Sequence, residues 1–248
     1  MASVTYVGHS TVLVDLDGTR LLTDPLLRTR VAHLRRRPSL ALEELRDLDA
    51  VLVSHAHYDH LDLPSLDVVG RSTPVVVPRG LGGLLRRRGF TDVTEVDVGE
   101  RVTIGAVTVD ATFAVHDGAR GPLGASGSPL GYVLGGTRKL YFAGDTDLFD
   151  GMEELSGELD LALVPIWGWG PSLGSGHLDP EGAARALALL KPRLAVPIHW
   201  GTYHPVYLGL RAVPSFLHQP PLRFVEAAAA VAPEVEIRVL QPGETLEL

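Results

Sequence analysis

The sequence contains no cysteine among its 248 residues. Disulfides, thiolate metal sites and a cysteine nucleophile are therefore excluded, and any metal falls to histidine and carboxylate. Basic residues are also in deficit, with 22 Lys and Arg against 30 Asp and Glu and a formal net charge of −8. That balance argues against a general nucleic-acid-binding surface, so no nucleic-acid partner is expected. No apolar stretch approaches the ~20 residues needed to cross a bilayer. The N-terminus lacks a basic region followed by an apolar run. No membrane insertion and a cytoplasmic location are the expectation. The remaining composition, 45% hydrophobic and 21% charged, is that of an ordinary globular protein. A chain of this length can bury about 70–75% of its unfolded surface without staples.

Against these absences stand 10 histidines, three of them crowded into residues 54–62. There His55, His57, Asp59 and His60 put four metal-ligand types into six positions. A strand expected at 49–53 runs straight into this stretch, so the ligands sit at a strand's C-terminal end. In extended backbone, residues two apart face one side. His55 and His57 can therefore share one metal, while Asp59 and His60, past the turn, are free to serve a second.

Along the chain, strands are expected at 4–7, 11–15 and 20–23, the last two joined by the hairpin turn Asp17-Gly18. His9 and Asp24 fall at strand ends, where each is as readily a turn residue as a site residue. Residues 28–40 are basic and aperiodic and read as a solvated loop. Helices at 42–48, 64–69 and 80–88 alternate with strands at 49–53 and 75–78; Gly89 supplies the left-handed C-terminal position of the third helix. Strands at 93–98, 101–104 and 107–112 lead to His116 and Asp117. The Gly-rich stretch 118–129 reads as a mobile loop beside a candidate ligand, a substrate lid or entrance. A hairpin at 131–134 and 139–143 ends in Gly144-Asp145-Thr146. A helix at 148–155, a strand at 159–165 and a loop holding Trp167 and Trp169 lead to His177. Asp179-Pro180 opens a helix to about 190 with a capping carboxylate and a first-turn proline. A strand at 195–198 runs into His199, Trp200 and Tyr203, and a helix at 221–231 and a strand at 235–240 follow. With no linker between the two strand–helix runs, residues 1–248 are expected to be a single domain. Its expected class is α/β, two mixed sheets packed face to face with helices on the outer faces.

His116, Asp145 and His199 each follow an expected strand, as His55 does. Strand ends on one edge of a sandwich meet in space even when far apart in sequence. Together they supply His55, His57 and His116 to one metal and Asp59, His60 and His199 to another, with Asp145 suited to bridge. Such donors suit zinc first, then manganese or iron.

Residues 54–62 carry the H-x-H-x-D-H pattern, and Gly144-Asp145-Thr146 and Ile198-His199-Trp200-Gly201-Thr202 match later motifs of the same kind. The chain in these features resembles the metallo-β-lactamase superfamily. Gly8-His9-Ser10-Thr11, Thr23-Asp24-Pro25 and His177-Leu178-Asp179-Pro180-Glu181 resemble the branch that contains ascorbate-6-phosphate lactonase and N-acylphosphatidylethanolamine phospholipase D. The resemblance implies an αββα four-layer sandwich with a dinuclear hydrolytic site at one edge. It assigns His55, His57, Asp59, His60, His116, Asp145 and His199 as ligands of two divalent ions.

Those assignments lead to a metal-dependent hydrolase in which a metal-activated hydroxide attacks a small-molecule ester, lactone or phosphodiester. Asp59 is the expected orienter of that hydroxide, and His177 and Tyr203 are candidate donors to the substrate or leaving group. Trp167, Trp169 and Trp200, with Asp117, are candidate substrate contacts, the tryptophans forming an aromatic wall. The competing readings are a nuclease or phosphodiesterase acting on nucleic acid, a non-catalytic metal-binding module, and oxidoreductase chemistry with iron at the same ligands.

Overall fold

The computed structural model describes residues 2–31, 33–36, 45–121, 124–168, 174–206 and 217–248. Its first sheet begins as an antiparallel meander of β1 (Ala2–Gly8), β2 (Thr11–Leu16) and β3 (Thr19–Thr23). Asp17 and Gly18 both take positive φ, 53° and 77°, as the primed hairpin turn between β2 and β3 requires. Two short strands follow, β4 (Arg30–Val31) and β5 (Leu34–Arg36). The sheet then continues in parallel from β3 through β6 (Ala50–Leu52), β7 (Val75–Pro78) and β8 (Val93–Val96).

The second sheet repeats this plan. An antiparallel set, β9 (Arg101–Ile104), β10 (Val107–Phe113), β11 (Leu130–Gly135) and β12 (Lys139–Phe142), gives way to parallel pairing from β12 to β13 (Leu161–Pro165) and β14 (Leu194–Ile198). Beyond β15 (Tyr203–Pro205), β16 (Glu236–Ile237) extends the second sheet beside β14, and β17 (Thr245–Glu247) extends the first beside β1. β15 itself pairs with β5 in a small three-stranded sheet.

The period of two along each strand sorts side chains between layers. Ala50, Leu52 and Val76 face the core that the first sheet shares with Tyr132, Leu134 and Phe142 of the second. Their neighbours Val51, Val53, Val75 and Val77 face outward, against Leu66 of α1 (Leu63–Val69) and Leu85 of α2 (Gly82–Arg88). Burial on both faces is why these strands read as unbroken apolar runs. On the second sheet α3 (Pro180–Leu190) packs against β13 and against α4 (Gln219–Val231). The four layers are those of the expected αββα sandwich. Among the described residues no helix is long and apolar enough to cross a membrane.

Several local expectations are corrected. Residues 148–155 form only a 3₁₀ turn, Met152–Leu155, entered through Gly151 at φ 88°. The terminal strand shrinks to Glu236–Ile237. Of the helix expected at 42–48, residues 42–44 lie outside the described residues. The rest is no α-helix, because Asp47 turns left-handed at φ 53°. The basic stretch 28–40, expected as a solvated loop, contributes β4 and β5 where described, and two of its arginines are structural. Arg28 grips the two Asp62 oxygens with Nε and Nη2 at 2.9 and 2.7 Å. Arg36 is buried and donates to the carbonyls of Leu26 and Val7. Consecutive arginines along β5 hide its buried face, because a guanidinium can donate to carbonyls inside the protein.

Gly144, between β12 and Asp145, sits at φ 61°, and a Cβ there would meet Ser54 Cβ at 2.7 Å and the Leu130 carbonyl at 2.9 Å. Gly144→Ala is expected to destabilise the protein by about 2 kcal/mol, since both backbone strain and a close contact act. Thermal unfolding should show Tm lower by roughly 4–8 °C; an unchanged Tm would mean the two sheets do not approach this closely.

Candidate metal centre

The site lies where strands of both sheets end. β1 ends at Gly8 and is followed by His9, β3 by Asp24, β6 by Ser54 and His55, β12 by Gly144 and Asp145, and β14 by His199. The short turn after β6 carries His57, Asp59 and His60 on their way into α1, whose N-terminus Asp62 caps by accepting from Ser65 N at 3.1 Å. His116 arrives from β10, where Val115 bridges to Asp147 and its amide donates to Thr146 Oγ1 at 2.9 Å.

Seven expected ligands converge here. His55, His57 and His116 offer ligand atoms within 4.8 Å of one another, and so do His9, Asp59, His60 and His199. His57 Nδ1 and His116 Nε2 stand 3.1 Å apart. Two imidazole nitrogens on one tetrahedral zinc stand about 3.3 Å apart, given Zn–N bonds of about 2.0–2.1 Å. Asp145 lies between the two sets. Its Oδ2 is 3.2 Å from His60 Nε2, 3.3 Å from His199 Nε2 and 4.0 Å from His116 Nε2.

The outward nitrogens are occupied, which decides where the inward ones point. His60 Nδ1 donates to Asp24 Oδ2 at 2.7 Å. His55 Nδ1 donates to Ser54 Oγ at 2.9 Å, which donates in turn to the same Asp24 oxygen at 2.6 Å. His116 Nδ1 donates to the Gly176 carbonyl at 2.7 Å and His199 Nδ1 to the Trp167 carbonyl at 2.6 Å. Among the described residues His55 Nε2 and Asp145 Oδ1 are buried with no hydrogen-bond partner. Buried polar atoms left so are costly unless something else binds them. The donor set therefore fits divalent metal ions.

Charge in the metal-free cluster is balanced by protons. Burial alone would push His60 down, but Asp145, Asp59 and Asp24 hold it well above the usual imidazole range. Burial also opposes charge on His199, yet Asp145 lifts it to about 9. Burial pushes the Asp59 and Asp145 carboxyls up, but His60 beside the first and His199 beside the second hold both well below the usual carboxylate range. His116, pushed down to about 4 chiefly by burial, and His55, lowered by burial and the His60 charge, stay neutral.

The family model of the beta-lactamase superfamily domain matches residues 19–200. The chain belongs to that superfamily. It is 34% identical to a metal-dependent hydrolase of Deinococcus radiodurans over 252 residues, with both chains covered completely. It is 36% identical over 227 residues to N-acyl-phosphatidylethanolamine-hydrolyzing phospholipase D 1 of Caenorhabditis elegans. That match takes in 80% of this chain and only 64% of the worm protein's length. Among solved structures, Igni18, a metallo hydrolase of Ignicoccus hospitalis, aligns with a TM-score of 0.74 at 25% identity, covering 100% of this chain and 99% of its own. The chain is thus a metal-dependent hydrolase of the superfamily.

The remaining candidates divide. His177, about a quarter exposed, stands with Nε2 3.8 Å from Asp145 Oδ2 and its ring edge-on to His116 at 4.6 Å. Asp179, two residues on, caps α3 by accepting from Gly182 N at 2.6 Å. Tyr203 departs from the expectation of a proton donor to substrate: it is buried, and its hydroxyl donates to the carbonyls of Leu26 and Arg28 at 3.1 and 2.6 Å. Trp200 likewise leaves the expected aromatic wall. Its buried ring stacks on Tyr6, 6.4 Å between centroids, and its Nε1 donates to the Pro197 carbonyl. Trp167 is buried and serves His199 through its carbonyl. Trp169 lies outside the described residues. Asp117 is exposed and accepts from Ala119 N at 3.0 Å.

The expected mobile loop, residues 122–123 being outside the described set, is closed by the Arg120 N–Ala125 carbonyl bond and a bridge between Ala119 and Ser126. Arg120 Nη1 donates to the carbonyls of Ala56 and Leu61 at 2.8 and 2.7 Å, fastening both ends of the ligand turn. The sequence places His9 and Asp24 at strand ends and in motifs that resemble one branch of the superfamily, but assigns neither a role. The signal that could have promoted them is polarity without an exposed strand around it.

Two outcomes follow from this geometry. Asp24→Asn removes the acceptor shared by His60 and Ser54 and should weaken metal affinity about 10–100-fold, read by competition with a chromophoric chelator. Because His60 and His199 lie above neutral pKa in the metal-free protein, both rings carry protons that metal must expel. Metal uptake near neutral pH should release about two protons per chain, and affinity should fall as pH drops below about 9. Calorimetry in buffers of different ionisation enthalpy checks this; a buffer-independent heat would contradict it.

Proposed function

We propose that residues 1–248 form one hydrolase domain that binds two divalent metal ions, zinc in the first place and manganese or iron as alternatives. It would hydrolyse a small-molecule ester, lactone or phosphodiester. The observation that carries this reading is the pair of ligand sets joined at Asp145 Oδ2, onto which the inward nitrogens of His60 and His199 turn. His55, His57 and His116 would hold one ion, and Asp59, His60 and His199 the other. Ions held there would supply Lewis acidity and bring the pKa of bound water down to about 7.

The chain's own groups then have distinct tasks. Asp145 orients both ligand sets at once. Asp59, with Oδ2 at 3.0 Å from His9 Nε2, is fixed on one side and directs its carboxylate to orient water and receive a proton. His177 sits on the solvent side of Asp145, where Nε2 can pass a proton to the departing oxygen. The similarity to the worm phospholipase favours the phosphodiester among the three bond types. The acidic balance of the chain disfavours a nucleic-acid substrate.

Protein loaded with zinc or manganese and offered bis(p-nitrophenyl) phosphate, p-nitrophenyl esters and lactones should hydrolyse at least one class and leave single-stranded RNA and DNA intact. Asp145→Ala is expected to abolish turnover and to lower metal content; full activity in that variant would remove the two-metal reading. His177→Ala should keep its metal and lose about 10²–10⁴-fold in kcat, and an unchanged kcat would exclude His177 as the proton donor.

A further inference from the structure

His9 is the one member of the four-residue set His9, Asp59, His60 and His199 that the metal assignment leaves without a task. Its side chain is buried, and its Nε2 stands 3.0 Å from Asp59 Oδ2. The ring lies against His199 with centroids 3.9 Å apart. That is closer than the ring pairs assigned to a common ion: 4.5, 4.6 and 4.8 Å within the first set, and 5.3 Å for His60 and His199. His9 thus packs its ring on a ligand, while its Nε2 is turned to the Asp59 carboxylate.

The backbone repeats the connection. His9 N donates to Thr202 Oγ1 at 2.7 Å, and His199 N donates to the His9 carbonyl at 2.8 Å. Both histidines take left-handed backbone, φ 58° and 61°. A side chain held there costs about 1–2 kcal/mol, and a turn alone would be better served by glycine. The imidazole therefore has a use that outweighs the strain. Gly8, at φ 128°, allows this fit, since a Cβ would meet Thr202 Cγ2 at 2.8 Å.

We propose that His9 is a positioning residue: its Nε2–H donates to Asp59 Oδ2 and holds that carboxylate toward His60 and His199, so that the second ion finds a preformed set. The proposal rests on the two-metal reading above. A carboxylate that is both ligand and acceptor loses one rotational freedom through such a bond, and support of this kind is typically worth 10–100-fold in metal affinity.

The test is a calorimetric zinc titration of metal-free wild type, His9→Phe and His9→Gln, with circular dichroism to confirm folding and kcat and KM measured on bis(p-nitrophenyl) phosphate. Phe keeps the ring and loses the donor; Gln keeps an amide donor at similar reach. Wild type should bind two equivalents. His9→Phe should hold one equivalent as before and bind the other about 10–100-fold more weakly, with a loss in kcat and little change in KM, and His9→Gln should recover most of both. Two equally tight equivalents in His9→Phe would overturn the proposal. A folded Gln variant as impaired as a folded Phe variant would overturn it too, because the donor would then not be what matters; if His9→Phe fails to fold, a folded His9→Gln that binds its second equivalent at least about tenfold more weakly than wild type overturns it. Wild type that binds fewer than two equivalents would instead remove the two-metal reading, and the role of His9 with it.

Discussion

The carboxylate of Asp24 is the interaction on which the rest of the site depends. Fully buried at the end of β3, it accepts from Ser54 N and Ser54 Oγ through separate oxygens and from His60 Nδ1. A buried carboxylate is costly unless its lone pairs are filled, and here they are filled by the first residue of the ligand turn and by one of its ligands. Through Ser54 the same group reaches His55. One carboxylate thus fixes the ring orientation of two histidines assigned to different ions. The parallel pairing of β3 with β6 brings it there, since two parallel strands end on the same edge.

A second constraint is electrostatic. Asp145 is buried and Asp59 nearly so, and the metal-free protein answers their charge with protons on His60 and His199. Those protons offset much of the buried negative charge in the absence of metal.

The parts of the fold that were legible in the sequence are those whose residues have one mechanical use. Asp17-Gly18 and Asp179-Pro180 are local devices, and both do locally what their chemistry requires. The apolar runs that became β6, β7, β13 and β14 were legible because burial on both faces leaves no polar position to confuse the period. The 28–40 segment was not, since Arg36 is buried and donates from Nη1 and Nη2 to carbonyls elsewhere in the chain. Trp200 and Tyr203 were misjudged for a related reason. Each carries an apolar body and a polar handle, and whether the handle meets a substrate or the protein's own carbonyl is decided by distant neighbours.

From the residues alone came the metal chemistry: absent cysteine, the crowded histidines of residues 54–62 and further histidines and an aspartate at strand ends limit the donors to imidazole and carboxylate. Ligand identity is legible because coordination demands particular atoms, and those atoms belong to particular side chains. Only the tertiary structure decided which nitrogen of each ring faces inward, that Asp24 and His9 stand behind the ligands, and that Tyr203 and Trp200 belong to the packing. The physical reason is reach. A supporting bond is made by a group up to 193 residues away, as between His9 and Thr202, and no local pattern records where such a partner will arrive.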